Sequence, residues 1–172
     1  MEFTKIDWSK INNKVKQFSL NGKKYIGKCV DVYDGDTIKV VFAVDGMDDL
    51  YRWNCRINRV DTPEIRTKNK KEKEFAKVVR DKLREKILNK LVIVDCFDFD
   101  KYGRLLAEIY YSESLQQVKD HSELLNSFGK GLNEGLTEGL KEESIENISD
   151  FLIKNEYAKP YDGGKKTKWF TE

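Results

Sequence analysis

The sequence predicts an α+β fold: a small closed barrel of five short strands carrying about three helices. Two observations carry this. Apolar residues alternate with polar ones along several segments bounded by Asn-Gly or Asp-Gly turns. After Pro63 that period of two gives way to helical spacing, and strands then return.

In chain order, residues 1–17 offer a short helix, with Trp8, Ile11 and Val15 at helical spacing and Ser9 as N-cap. Asn21-Gly22 is a two-residue hairpin signal joining Gln17–Leu20 to a strand at about Lys24–Tyr33. Asp34-Gly35 makes the next turn. Ile38, Val40, Phe42 and Val44 then alternate with Thr37, Lys39, Val41 and Ala43. After Asp45-Gly46 a third strand runs over Leu50–Asn58. Tyr51, Trp53, Cys55 and Ile57 share one of its faces, and Arg52, Asn54 and Arg56 the other. Phe75, Val78, Val79, Leu83, Ile87 and Leu88 form the apolar stripe of an amphipathic helix. Leu91–Phe97 and Leu105–Tyr111 are two further strands, joined by a loop ending in Tyr102-Gly103, and a helix follows.

Charged residues make up 36% of the chain and hydrophobic ones 39%, the composition of a highly charged globular protein. There is no run of eighteen apolar residues and no apolar core near the N-terminus, so an intracellular protein, neither membrane-spanning nor secreted, is expected. Cys29, Cys55 and Cys96 lack CxxC spacing and read as free, buried thiols in a reducing compartment. Charge is unevenly spread. Residues 66–90 hold eleven Lys or Arg against four Asp or Glu, and residues 112–150 hold three against nine. The basic half can meet a polyanion, or it can be a solvated helix face. The acidic half would repel a polyanion.

The whole chain, 1–172, reads as one domain with an N-terminal arm at 1–22 and an acidic insertion at 112–146. The insertion carries Gly131-Leu132, Gly135-Leu136 and Gly139-Leu140, a leucine stripe if helical, though glycine at every fourth position weakens a helix. It is open at this stage between a loose acidic excursion and a contact surface for a second copy of the chain or another protein.

Asp34-Gly35-Asp36-Thr37, Arg56, Asp61-Thr62-Pro63-Glu64 and Asp100-Lys101-Tyr102-Gly103-Arg104 place carboxylates and arginines at turns and strand ends. That inventory can hold a hard divalent cation and cleave a phosphodiester. Carboxylate oxygens ligate such a cation, and forked guanidiniums grip phosphate. Thr62 precedes a proline, which biases it to an extended conformation and fixes where its carbonyl points. The residue types alone allow Ca2+, Mg2+ or Mn2+.

The stretches VYDGDTIKVVF, CRINRVDTPEIR and FDFDKYGRLLAEIYY, with a weaker NISDFLIKNEYAKPYDGGKK, resemble the staphylococcal nuclease (thermonuclease) family. The resemblance runs from about Lys24 to Lys166 and sharpens the barrel to an OB-fold. It implies Asp36, Asp61 and the Thr62 carbonyl as Ca2+ ligands. It implies Glu64 as the general base on the attacking water, and Arg56 and Arg104 as the groups that stabilise the transition state. It further implies that Lys101 and Tyr102 hold a terminal phosphate and that Tyr161 lies near the base of a bound nucleotide. The expected activity is hydrolysis of DNA and RNA, single strands preferred, with little sequence specificity and a 3′-phosphate product. Asp34 reads as a turn-forming support for the ligands, Arg59 and Arg66 as the arginines most easily mistaken for the functional pair, and Thr67–Lys73 as a compact basic loop that steers a nucleic-acid backbone.

His121, the only histidine, lies in the insertion, far from every motif, so a histidine-based nuclease is excluded. Tyr25-Ile26-Gly27 has no preceding GIY element, and there is no P-loop or zinc cluster. The competing reading is a catalytically silent nucleic-acid or protein-binding module on the same barrel. By the family resemblance such modules typically have lost active-site carboxylates or arginines, and here all are present.

Overall fold

The computed structural model of the chain describes residues 6–117, 145–164 and 166–170. Five strands close into the predicted barrel: β1 (Lys24–Val32), β2 (Thr37–Ala43), β3 (Leu50–Ile57), β5 (Leu91–Phe99) and β6 (Leu105–Tyr111). β1 pairs antiparallel with β2 and β5, β2 with β3, and β5 with β6, and a parallel seam of β3 on β6 closes the ring. Two short pairs accompany it. β7 (Glu146–Asn147) extends β6, and β4 (Val60–Asp61) pairs with β8 (Lys159–Pro160). The helices are α1 (Lys70–Ile87), the single turn α2 (Glu113–Gln116) and α3 (Ile148–Lys154).

The alternation on β2 is realised residue for residue: Ile38, Val40, Phe42 and Val44 are buried. They meet Cys29, Val32, Cys55, Ile57, Val92, Val94, Cys96, Leu105, Ala107 and Ile109 from the other strands, and Val79, Leu83 and Ile87 of α1 and Ile148 and Leu152 of α3 cover the barrel. One end is filled by aromatic rings, with Phe42 stacked between Tyr25 at 4.9 Å and Trp53 at 5.4 Å. The three cysteines are free and buried. Burial pushes the thiols of Cys29 and Cys96 up to about 12, so they stay protonated and act as small apolar groups.

Several local expectations are corrected. The N-terminal helix is one 3-10 turn, Trp8–Lys10, capped by Asp7 rather than Ser9: the Asp7 carboxylate accepts from the Ser9 backbone N–H. Trp8, Ile11 and Val15 are exposed, so no buried face supports a longer helix there. Asn21-Gly22 does form a turn, but Gln17–Leu20 is not a strand. Thr67–Lys73 is not one loop either. Asn69 accepts from the Glu72 N–H at 3.1 Å as N-cap, and Lys70–Lys73 are the first turn of α1. Val78 of the predicted stripe is exposed, and Ala76 occupies the buried face instead.

The start of the acidic insertion belongs to the barrel. Leu115 of α2 is fully buried beside Ile26, Leu91 and Ile93. The Gln116 amide accepts from Leu91 N–H at 2.9 Å and donates to Leu91 C=O at 2.8 Å, a side chain replacing a strand partner at the edge of β5. His121 and the Gly-Leu stripe lie outside the described residues.

Candidate active site

The turn between β1 and β2 carries the first carboxylates. Asp34 Oδ1 accepts from Asp36 N–H at 3.2 Å, and Ile57 N–H donates to Asp36 C=O at 2.8 Å, which fastens the turn to the end of β3. The β2–β3 register sets Thr37 opposite Arg56. Arg56, on the polar face predicted for it, is nearly buried. Its Nη1 donates to Asp36 Oδ2 and its Nη2 to Val60 C=O at 3.1 Å.

Arg104 arrives from the β5–β6 loop. Asp100 Oδ1 accepts the backbone N–H groups of Tyr102 and Arg104 at 2.8 and 2.9 Å, and Gly103 sits at φ +78°, where a Cβ would be strained. This tight turn aims Arg104 inward, where Nε donates to Asp100 Oδ2 at 2.8 Å and Nη1 to Thr37 Oγ1 at 3.2 Å. Thr37 Oγ1 in turn donates to Asp36 Oδ1 at 2.9 Å. Asp36 is thus held between the two arginines, directly by Arg56 and through Thr37 by Arg104.

These groups open onto a cleft of about 700 Å³ whose walls include Asp34, Asp36, Arg56, Glu64, Lys101, Tyr102, Arg104 and Tyr161. Tyr161 lies with its ring 5.7 Å from the Arg56 guanidinium carbon and donates its hydroxyl to Gly164 C=O. Lys101 Nζ and the Arg104 guanidinium both lie over the exposed Tyr102 ring, at 5.0 and 5.6 Å. Burial and the Asp36 charge, with a further contribution from Glu64, push the Asp34 carboxyl up to about 6.

Asp61 ends β4 and Thr62 follows it, and both are 3% exposed. They line a neighbouring groove of about 460 Å³ rather than the cleft itself, and Glu64 belongs to both. What joins the two is Gly35. A Cβ there would fall 2.8 Å from Thr62 Cβ and 2.7 Å from Val79 Cγ1, so the Asp34–Asp36 turn lies directly on Thr62. Pairing of Asp61 with Lys159 through β4 and β8 anchors the other side.

Sequence reasoning missed Lys166. Its Nζ donates to Glu64 Oε1 at 2.7 Å and lies 2.8 Å from Asp61 Oδ1. Partial burial disfavours its charge, but the two carboxylates outweigh this and hold its pKa above the ordinary lysine value. The only sequence signal was its place in the YDGGKK stretch. The two ambiguous arginines have other partners. Arg59 forks onto Glu108 at 2.7 and 3.1 Å and reaches Asp150 at 3.1 Å, tying the β3–β4 turn to α3, while Arg66 lies 5.5 Å over the Tyr33 ring.

The donor set fits a hard cation. Asp36 and Asp61 are buried carboxylates of the kind a hard cation takes, and Asp61 Oδ1, without a hydrogen bond of good geometry among the described residues, is met by the Lys166 ammonium at 2.8 Å. Among those residues no group of three or more His, Cys, Asp or Glu side chains gathers as a ready ligand cage.

The family model described as Staphylococcal nuclease homologue matches residues 54–168. The chain belongs to the staphylococcal nuclease family. The matched span holds Arg56, Asp61, Thr62, Glu64, Lys101, Tyr102, Arg104, Tyr161 and Lys166, while Asp36 lies upstream of it. An uncharacterized protein of Methanocaldococcus jannaschii is 33% identical over 134 aligned positions, covering 66% of this chain and 61% of that protein. An uncharacterized endonuclease of Escherichia coli O157:H7, and its counterpart in Escherichia coli, are each 30% identical over 89 positions, covering 52% of this chain and 50% of theirs. The chain thus spans between half and three-fifths of the length of these curated relatives. Among the described residues no helix is long and apolar enough to cross a membrane.

Proposed function

We propose that this member of the staphylococcal nuclease family is a metal-dependent nuclease. It hydrolyses phosphodiester bonds of DNA and RNA, preferring single strands and reading little sequence. The observation that carries the proposal is Asp36, a buried carboxylate held by Arg56 directly and by Arg104 through Thr37, at the wall of a cleft that also presents Glu64.

A hard cation, Ca2+ by family resemblance with Mg2+ or Mn2+ as alternatives, would be held by Asp36, Asp61 and the Thr62 carbonyl, and when bound it neutralises the phosphate and polarises its oxygen. Glu64, exposed at the junction of cleft and groove, takes the proton from the attacking water. Arg56 and Arg104 place guanidinium forks against the phosphoryl oxygens, where charge grows as water adds to phosphorus. Breaking the bond from phosphorus to O5′ leaves a 3′-phosphate and a 5′-hydroxyl. Lys101 and Tyr102 hold a terminal phosphate, and Tyr161, packed beside Arg56, flanks the base. The chain acts as one domain, with the 112–146 insertion available to a second copy or a protein partner beyond Gln116.

The test is digestion of labelled single- and double-stranded DNA and RNA with Ca2+, Mg2+, Mn2+ or excess EDTA. Cleavage with Ca2+ and its loss on chelation are expected. Undiminished digestion in EDTA would remove the cation from the mechanism. Binding of nucleic acid without cleavage in any metal would favour the silent-module reading.

A further inference from the structure

Lys166 brings to the site a positive charge that the proposed chemistry does not use. Its ammonium bridges Asp61, assigned to the cation, and Glu64, assigned to the water, at 2.8 and 2.7 Å. The segment that carries it is fastened on both sides. Upstream, Lys159 pairs with Asp61 in the β4–β8 ladder, and its Nζ donates to Lys168 C=O at 2.9 Å and to Thr167 Oγ1 at 3.2 Å. Downstream, the rings of Trp169 and Phe170 pack on Phe75 of α1 at 5.7 and 6.1 Å. These contacts hold the segment on both sides of Lys166, while the Lys166 side chain itself is 42% exposed and open to solvent.

We propose that Lys166 is a tethered competitor for the divalent cation: its ammonium holds Asp61 and Glu64 until a cation takes Asp61, and is then displaced. The inference rests on the reading above, in which Asp61 ligates the cation. An ammonium and a dication cannot both sit against the one buried Asp61 carboxylate without mutual repulsion, so the two occupancies exclude each other. Competition of this kind lowers apparent affinity by the fraction of time the site is free. An ammonium seated about nine-tenths of the time weakens cation binding about tenfold. It also releases Glu64 only when the cation arrives, so base and cation become available together.

Calorimetric titration of the full chain with Ca2+ alone tests this, comparing wild type with Lys166→Met and Lys166→Gln. The control is Lys101→Met, which removes the same charge from the cleft without touching either carboxylate. Both Lys166 variants are expected to bind Ca2+ about tenfold more tightly, and Lys101→Met less than about threefold. Equal tightening in all three would reduce the effect to general charge. Unchanged or weaker binding would make Lys166 a support for the site. Either result overturns the proposal, as does a chain that binds Ca2+ in no form. A second measurement needs no variant: acetylation of the wild-type protein, read by mass spectrometry. Lys166 is expected to become more reactive on adding Ca2+ while other lysines do not, and unchanged reactivity would overturn the displacement. Tight Ca2+ binding with no cleavage would defeat the nuclease reading and leave this one standing.

Discussion

Gly35→Ala isolates the contact on which the site's assembly depends. Gly35 lies between Asp34 and Asp36, and an added Cβ would fall 2.7 Å from Val79 Cγ1, 2.8 Å from Thr62 Cβ and 2.9 Å from Thr62 Cγ2. Neither neighbour can step aside. Val79 is fully buried on the core-facing side of α1, and Thr62 is 3% exposed and followed by a buried proline. The methyl group must therefore push the turn away from Thr62. Overpacking of a tight interior costs about 1–3 kcal/mol. In a domain of this size each kcal/mol lowers the melting temperature by about 2–4 °C, so a fall of about 2–12 °C is expected. Because the same displacement separates Asp36 from the Asp61–Thr62 pair, saturating Ca2+ should raise the variant's melting temperature less than it raises the wild type's. Circular dichroism melts with Ca2+ and with EDTA measure both quantities. Melting within about 1 °C of wild type, with an equal shift on adding Ca2+, would show that the turn yields freely and would refute the coupling between the two carboxylate-bearing segments.

Arg56→Lys, Arg104→Lys and Glu64→Gln should each lower the rate at least about tenfold, about 1.4 kcal/mol of barrier, because lysine loses the fork and glutamine cannot take a proton. Near-wild-type kinetics in a folded variant would clear that residue of its role. In the metal-free protein Asp34, raised from 3.8 to about 6, holds a proton that the unfolded chain has already lost. Native stability should therefore fall as pH rises from 3.8 to about 6, and Asp34→Asn should remove that slope and be the more stable form at neutral pH. Parallel stability–pH curves for the two proteins would contradict this assignment. Leu115→Ala should cost about 2–5 kcal/mol, whereas replacing residues 118–143 by a Gly/Ser linker should leave cleavage within about tenfold. Total loss of cleavage in a folded linker variant would place part of that segment in the active site.

The barrel was legible because its strands are half-buried. On β2 the buried Ile38, Val40 and Phe42 alternate with the half-buried Lys39, Val41 and Ala43, and on β6 Leu105, Ala107, Ile109 and Tyr111 are buried between half-buried Leu106 and Tyr110, so alternation gave the elements and most of the buried set. The pattern failed where packing does not alternate. The first residues of β3, Leu50 and Tyr51, are exposed, and in the N-terminal arm Ile6, Trp8, Ile11 and Val15 are exposed too, while Leu20 alone enters the core among the arm's described residues. The closing β3–β6 seam and the β4–β8 pair left no trace in the sequence, since parallel and two-residue ladders have no local signature. The arginines and carboxylates of the site were recognisable by their motifs. The link from Arg104 to Asp36 through Thr37, and the reach of Lys166 to Asp61 and Glu64, depend on contacts between distant segments that no spacing encodes.

The closing seam also makes assembly of the proposed site depend on closure of the ring. Asp36 is fastened to Ile57 at the end of β3, the strand whose Cys55–Ile57 stretch closes the ring against Leu105–Ala107. Lys166 meets Glu64 across 102 residues of chain. An open sheet of β1, β2 and β3 would carry Asp36 and Arg56 on one wall of the cleft but neither Arg104 nor the wall formed by Lys101, Tyr102 and Tyr161. A half-formed chain therefore lacks the complete arrangement proposed to cut nucleic acid. Recovery of cleavage after dilution from denaturant should follow ring closure rather than the earlier growth of helix and sheet, so the cut strand itself would serve as a clock for the last step of assembly.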